Sequence, residues 1–426
     1  MLRLVVLCPH FDPDTAPTGH VMTRIVTELA GRGHELHVVT SLPWYRAHRV
    51  EPDWVEPVRR GGWLRTEHVP WGSITRVHPF PGGDRRDLVR RAAGFAGFSL
   101  LAGLGGLRAG GWLRRADAVI AMSPPLTLGP TGWAVGVSRR APLVFNIQDV
   151  FPDAAVETGA ITDRRVIAAA AALERFCYRR AAAITVLSDD LGDNVRTKLP
   201  PRMRERVHVI PNFVSTDELQ PADRMTAYRR ELGIGDEPVV LYAGNVGFSQ
   251  SLELVVHAAR AIPGATFLVN GQGAARAELE DAARDLPNVR FGDYQPAERL
   301  SEVLATGDVH VVPLRRGLGR VSVPSKTYSI LAAGRPVVAA IDPGTEVPRM
   351  LDASGGGIAV GPDDPDAFVG ALCDLLDLPD RGASMGAAGR RWVETAASPA
   401  AVAAAYEALV TGLRRRRRGP FGRARR

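Results

Sequence analysis

The chain has 426 residues, of which 45% are hydrophobic and 23% charged; that is enough for two domains with full cores and excludes a short peptide, a disordered acidic tail and a collagen-like rod. The formal charge is +7, but Leu413 to Arg426 alone carries eight arginines and no acid, so the basicity belongs to a tail and no fold-wide nucleic-acid surface is expected. Cys8, Cys177 and Cys373 are too few and too scattered for a disulfide framework or a four-ligand zinc site, which suits a reducing cytoplasm.

The first apolar run, Leu2 to Cys8, is shorter than a signal-peptide core and predicts a buried strand, so no export is expected. From there, short β-branched runs alternate with longer stretches of helical period. This is the pattern of βα units stacked on a parallel sheet, and the expected class is α/β. Strands are predicted near Leu2 to Cys8, Glu35 to Thr40, Ile74 to Pro79, Asp117 to Met122, Leu143 to Ile147, Ala183 to Leu187 and Val207 to Ile210. The turn-rich stretch Pro211 to Asp217 marks a domain boundary. A second series follows, near Val239 to Ala243, Thr266 to Asn270, Val289 to Phe291, Val309 to Pro313, Val337 to Ala340 and Gly357 to Val360.

Each series opens with a buried strand, a glycine-containing loop and a helix: Gly19 in the first, Gly244 and Gly247 in the second. Ligands of open parallel sheets sit beyond the carboxyl ends of the strands, so both loops are binding candidates, expected to meet across a cleft. A dinucleotide fingerprint is absent, because Gly271-Gln272-Gly273 is followed by Arg276 where the third glycine belongs, and no P-loop occurs. His10, His20, His34 and His37 share no ligand spacing with a carboxylate and read as scattered core or surface residues; Asp12-Pro13-Asp14 reads as turn chemistry. The informative segment is Arg315 to Val338. Its glycines and arginines lead into a predicted helix start at Pro324-Ser325, with the serine able to cap and the helix closing at Gly334. Such a start suits a phosphate. It also carries Lys326, one of only two lysines, with Lys198, beside 51 arginines.

In order and spacing, Gly33-His34-Glu35, Ile147-Gln148-Asp149-Val150-Phe151-Pro152-Asp153, Val209-Ile210-Pro211-Asn212, Tyr242-Ala243-Gly244-Asn245-Val246-Gly247, Gly271-Gln272-Gly273 and Val323-Pro324-Ser325-Lys326 carry a resemblance over almost the whole chain. The sequence resembles the retaining GT-B glycosyltransferases of family 4, in particular the WbuB-like branch acting in bacterial capsule, exopolysaccharide and O-antigen assembly. The resemblance implies two Rossmann-like domains facing across a central cleft: an acceptor-side domain over 1–211 and a nucleotide-sugar-binding domain over 212–398. A helix over 399–413 returning to the first domain, and a basic tail over 414–426, complete the expected organisation. The implied reaction is transfer, with retention, from a UDP-sugar to a lipid-linked saccharide acceptor in cell-surface polysaccharide synthesis, with no metal and no cofactor. Gln148 and Asp149 are expected to orient the donor sugar or the incoming hydroxyl. Lys326 and Arg320 are expected to stabilise the departing diphosphate. Donor contacts are expected from Gly19, Asn245, Gly247, Gln250, Gly271, Tyr294, Ser325 and Ser329, with Tyr294 lining the base pocket. The chain departs from the wider family pattern: Val321 and Ser329 stand where two glutamates are usual, and Asn245 and Gln250 where an arginine and a lysine are usual.

Two features bear on the acceptor. Trp44, Trp54, Trp63 and Trp71 fall between the second predicted strand and the next, beside Tyr45; they suit sugar rings, a membrane interface or a small aromatic subcore. Ala92 to Leu107 runs sixteen residues without a charge, contains Phe95 and Phe98, and is bracketed by Arg90-Arg91 and Arg108. It is read as a helix in the headgroup region, with a buried domain helix as the alternative. Trp44, Tyr45, Phe95 and Phe98 are therefore the acceptor or membrane candidates. With the basic tail they predict an anionic membrane surface as partner and a peripheral place at the inner face of the plasma membrane. The rival functions are a GT-B-fold sugar-nucleotide epimerase and a non-catalytic nucleotide-sugar-binding protein.

Overall fold

A computed structural model describes residues 1–46, 49–59, 64–80, 88–157 and 161–418. The chain forms two compact units, the first from Met1–Val156, Ile161–Pro211 and the segment beginning at Pro399, the second chiefly from Asn212–Ser398. In the first unit lie β1 (Arg3–Leu7), α1 (Pro17–Gly31), β2 (Glu35–Ser41), α2 (Pro52–Arg59), β3 (Leu64–Val69), β4 (Gly72–Val77), α3 (Leu88–Arg108), β5 (Ala118–Ser123), α4 (Leu128–Ser138), β6 (Leu143–Ile147), α5 (Asp153–Glu157), α6 (Arg164–Arg180), β7 (Ala183–Val186), α7 (Asp189–Thr197) and β8 (Val207–Val209). In the second lie α8 (Ala227–Glu231), β9 (Val239–Ala243), α9 (Glu253–Ala261), β10 (Thr266–Asn270), α10 (Arg276–Ala282), β11 (Val289–Gly292), α11 (Leu300–Thr306), β12 (Val309–Pro313), α12 (Lys326–Ala332), β13 (Val337–Ala340), α13 (Glu346–Ser354), β14 (Gly357–Val360), α14 (Pro365–Leu376) and α15 (Pro379–Ala396). The last helix, α16 (Pro399–Arg418), belongs to the first unit.

The first sheet has the order β3-β4-β2-β1-β5-β6-β7-β8 and the second β11-β10-β9-β12-β13-β14. Every pairing is parallel except β3 with β4. Central strands such as β5, β6, β10, β12 and β13 are buried at every residue, as strands covered by helices on both faces must be, and their predominantly apolar sequences follow from that. Helix α1 shows the matching logic. Pro17 occupies its first turn, where a missing N–H costs nothing, and Met22, Ile25, Val26 and Leu29 bury one stripe at helical spacing. Each such side chain contributes about 1.5–3 kcal/mol.

Strand β3 is the element that the sequence pattern hides. Its four central residues, Arg65, Thr66, Glu67 and His68, are all exposed, so an edge strand with no buried face leaves no apolar alternation to read. It turns back at Gly72, whose φ of 147° is required because a Cβ there would stand 1.8 Å from the Leu36 carbonyl oxygen.

Helix α3 is packed on α4 and on β1, β2 and β4. Its glycines permit this: a Cβ at Gly105 would lie 2.8 Å from Val39, and one at Gly106 3.0 Å from Val135. Phe98 is in the core at 2% exposure, which corrects its reading as a membrane-facing residue; Phe95 is half-buried, and the side chains that α3 turns outward are Leu100 and Leu104. The stretch Pro379–Arg416 has the length and composition of a membrane span. Within it, α15 packs on α12 and α16 on α1.

Candidate functional site

In the second sheet the chain runs from β9 to β10 on one side and later places β12 on the other, so the switch point lies beyond the carboxyl ends of β9 and β12. Three loops converge there. Gly244 and Gly271 have φ of 144° and 152°, and a Cβ on Gly271 would lie 1.9 Å from the Gly244 carbonyl oxygen. Only glycine lets these loops lie backbone to backbone. The Val246 N–H then donates to Gln272 O at 3.0 Å and the Ala275 N–H to Val246 O at 3.0 Å. Gln250 shapes the first loop from within, its Oε1 accepting from the Gly247 N–H at 3.0 Å. The exposed Asn245 is fixed by its carbonyl, which accepts from Tyr242 OH at 2.5 Å.

Lys326 brings charge to this cluster. It opens α12 with its ammonium 3.9 Å from the centre of the Tyr242 ring, and a Cβ at Gly244 would lie 3.0 Å from Nζ. Among the described residues it has no hydrogen-bond or ion-pair partner. Burial pushes its pKa down from 10.5 to about 7, because desolvation penalises an ammonium that no counter-ion repays. Burial likewise pushes the Tyr242 phenol upward, keeping that ring neutral beneath it. An ammonium without a counter-ion beside glycine loops at a switch point has the chemistry to hold an anion.

The rest of the Arg315 to Val338 segment is arranged differently from the sequence expectation. Ser325 is exposed and makes no capping bond; its backbone, at φ −60° and ψ −22°, is already helical, whereas a capping serine needs extended geometry. Helix α12 has only 7 residues, so the side chain of Lys326 matters more than the helix dipole. Ser329 is half-buried on that helix, Val321 is buried, and Arg320 is exposed at the end of a 3-10 turn, Leu318–Arg320. That turn is held by Asp342, a residue the motif reading passed over. Its carboxylate accepts from the Gly317 N–H at 3.0 and 2.8 Å and from the Gly319 N–H at 3.1 Å. Arg276 was also overlooked: its Nη1 donates to Gly271 O and, at 2.9 Å, to Gly292 O, with its guanidinium 4.8 Å from the Phe291 ring. It ties the ends of β10 and β11 together. Tyr294 stands at the rim, 53% exposed, its OH 3.4 Å from Gln272 O.

In the first unit the switch point lies between β1 and β5. Gln148, just beyond β6, is buried and donates from Nε2 to Asn146 Oδ1 at 2.8 Å. Asn146 in turn donates to Tyr406 OH at 2.8 Å and to Thr185 Oγ1 at 3.1 Å, so α16 orients the end of β6. The next residue, Asp149, is half-buried. The turn that follows is anchored by Lys198, whose Nζ is 2.8 Å from Asp153 and 2.7 Å from Glu174; Glu174 also accepts from Tyr178 OH at 2.9 Å, and burial raises its carboxyl. The second lysine thus has a structural task that its rarity in the sequence could have flagged.

The loops after β1 and β2 supply the acceptor candidates. Trp44 stacks on His10 at 5.4 Å between centroids, and Tyr45 meets the same ring edge-on at 5.5 Å. His10 Nδ1 is 2.6 Å from Asp14 Oδ2, so a histidine read as scattered and an aspartate read as turn chemistry form a pair. Gly19, in the first turn of α1, faces them: a Cβ there would be 3.0 Å from His10 Cβ. Trp54 is committed to arginines, with Arg76 at 4.9 Å and Arg65 at 5.5 Å from its ring. Trp63 and the tail beyond residue 418 lie outside the described residues. Among the described residues, no three His, Cys, Asp or Glu side chains are grouped to hold a metal ion.

Comparison with known proteins agrees with this layout. Residues 18–212 match the glycosyl transferase 4-like domain and residues 237–378 the glycosyl transferases group 1 domain. The chain is 26% identical over 390 residues to WcaI of Escherichia coli K12, a protein named for glycosyl transfer in colanic acid biosynthesis, covering 89% of this chain and 93% of that one. Among solved structures it is similar to a sucrose-phosphate synthase of Thermosynechococcus elongatus, with a TM-score of 0.75 at 18% identity over 97% and 99% of the two chains. It is also similar to HepE of Anabaena in complex with UDP-glucose, with a TM-score of 0.66 at 14% identity over 97% and 100%. These are GT-B folds.

Proposed function

From a chain that belongs to the glycosyltransferases carrying these two domains in tandem on a GT-B fold, we propose transfer of a sugar from a UDP donor to a lipid-linked saccharide, with retention, in cell-surface polysaccharide synthesis. The observation that carries the reading is Lys326, an unpaired ammonium beside the glycine loops at the switch point of the second sheet. A diphosphate gains negative charge as it leaves, and a preorganised cation stabilises that charge most where water is excluded. The exposed Arg320 adds a second cation nearby in sequence; together they supply the charge that a metal supplies elsewhere, so the reading needs no metal or cofactor. Ser329 and Tyr294 are assigned to the ribose and base, and Gln148 and Asp149 to the sugar. The UDP assignment draws on the UDP-glucose complex of HepE, and the pathway on the name of WcaI.

The lipid part of the acceptor draws on Leu100, 72% exposed, and Leu104, 46% exposed, along α3, and on the arginines from Arg414 onward. Near an anionic surface each arginine contributes about 1 kcal/mol, which supports a peripheral position at the inner face of the plasma membrane. The test is a panel of UDP-sugars incubated with and without a lipid extract of bacterial envelopes, measuring UDP release, sugar incorporation and the anomeric configuration of the product. Interconversion of sugar isomers without extract would replace the reading with an epimerase. Nucleotide-sugar binding with neither outcome would leave a binding protein. For the membrane, cosedimentation with vesicles containing phosphatidylglycerol at low salt is expected, and is expected to weaken when 414–426 is deleted; full-length protein that stays in the supernatant would refute it.

A further inference from the structure

We infer that His10 and Asp14, with the rings of Trp44 and Tyr45, form a saccharide-binding subsite in which His10 Nε2 accepts a hydrogen bond from a sugar hydroxyl. The inference deepens the glycosyl-transfer reading and rests on it for the identity of the ligand as an acceptor. Three observations carry it. The loop after β1 lies at the switch point of its sheet, where open α/β sheets bind ligands. The Asp14 side chain is fully buried, and its two oxygens are divided between His10 Nδ1 at 2.6 Å and the Tyr45 N–H at 3.2 Å. One carboxylate thereby fixes both the imidazole and the aromatic loop. The segment is also clamped from the sheet, because Ser41 Oγ donates to Pro9 O at 2.6 Å and Arg76 Nη2 to Asp12 O at 2.5 Å.

The chemistry follows from the tautomer. A neutral imidazole that donates Nδ1–H to a carboxylate presents Nε2 as an acceptor, and among the described residues His10 Nε2 has no partner. A fixed nitrogen lone pair flanked by a stacked indole and an edge-on phenol offers a pyranose what it needs: an acceptor for one hydroxyl and apolar faces for its C–H groups. The Nδ1 bond makes Asp14 a positioning residue and His10 the group that touches the sugar.

The probes are octyl glucoside, octyl galactoside and octyl mannoside below their micelle concentrations, with octanol as the sugar-free control. Binding is read by saturation-transfer NMR and by tryptophan fluorescence, and UDP-induced thermal stabilisation is read on the same samples. At least one glycoside, and not octanol, is expected to saturate the parent with signal on its ring protons. His10→Ala is expected to raise that dissociation constant about tenfold, as for one lost hydrogen bond with its orientation, while the UDP shift stays unchanged. His10→Gln, whose amide oxygen can still accept, is expected to recover part of the loss. Should His10→Ala lose its cooperative unfolding transition, Tyr45→Ala at the rim is the second variant, expected to weaken the glycoside severalfold. Glycoside binding equal in parent, His10→Ala and Tyr45→Ala would overturn the inference, and so would a parent that binds none of the glycosides. Absence of UDP release with envelope lipids would overturn the transfer reading instead, and leaves glycoside binding to be judged by its own measurement.

Discussion

With a nucleotide seated against Lys326 as proposed, binding is expected to be proton-linked. In the free protein burial holds its ammonium at a pKa of about 7. A diphosphate seated against it favours the charged form and returns the pKa toward 10.5, its value without burial. The bound state then holds more protons than the free state between these two values, so binding takes up protons and affinity falls as pH rises through 7. At pH 8 the free lysine is about one-tenth protonated and the bound one almost fully, giving an uptake of about 0.9 proton. From pH 6 to pH 9 the UDP dissociation constant, taken relative to that of Lys326→Gln, is expected to rise about ninetyfold, close to 2.7 kcal/mol at 1.36 kcal/mol per pH unit. Isothermal titration in buffers of different ionisation enthalpy reads the uptake directly. The ionisation of the phosphate itself, near pH 6, is common to parent and Lys326→Gln and cancels between them. In the transfer reaction Lys326→Ala is expected to lower kcat about a hundredfold, as for one preorganised donor to a developing anion, with Lys326→Arg only partly restoring it because a planar fork places its donors differently. Proton uptake equal in parent and Lys326→Gln, together with single-turnover transfer by Lys326→Ala within about threefold of the parent, would show that the leaving-group charge is handled elsewhere.

Tyr294→Ala is expected to raise the donor KM severalfold with kcat within about twofold, since packing on a base is equal in ground and transition states; initial rates at varied donor decide it, and an unchanged KM removes Tyr294 from the site. Gly271→Ala places a Cβ 1.9 Å from the Gly244 carbonyl oxygen at a φ of 152° and is expected to cost about 2–4 kcal/mol and to abolish stabilisation by UDP, both read by thermal unfolding. Tyr406→Phe removes the hydroxyl that accepts from Asn146 at 2.8 Å and is expected to cost about 1–2 kcal/mol in urea unfolding; a change below about 0.3 kcal/mol would mean that the network from α16 to Gln148 is relaxed without it.

What the sequence determined by itself is what local periodicity and turn chemistry encode. All six strands of the second sheet and seven of the eight in the first were legible as short, mostly apolar or β-branched runs, most clearly in the central parallel strands, which are covered on both faces. The glycine loops at Gly244 and Gly271 and the rare Lys326 were legible for a different reason: the requirement is written into the residue itself. Strand β3 was not legible, since an exposed edge carries no apolar face. Nor was the burial of Phe98, because a charge-free, glycine-rich helix reads alike whether it meets lipid or a sheet, and only the fit of Gly105 and Gly106 against Val39 and Val135 decides between them. The pairings of largest consequence are also tertiary. Tyr406 reaches Asn146 across 260 residues, and Asp342 holds a turn 23 and 25 residues earlier. His10 and Asp14 are only four apart, yet what joins them is a loop clamped by Ser41 and Arg76 from neighbouring strands. Spacing along the chain shows which residues share an element; which polar atoms meet is set by how the elements pack, since a hydrogen bond forms only when both partners have been placed within about 3 Å of each other.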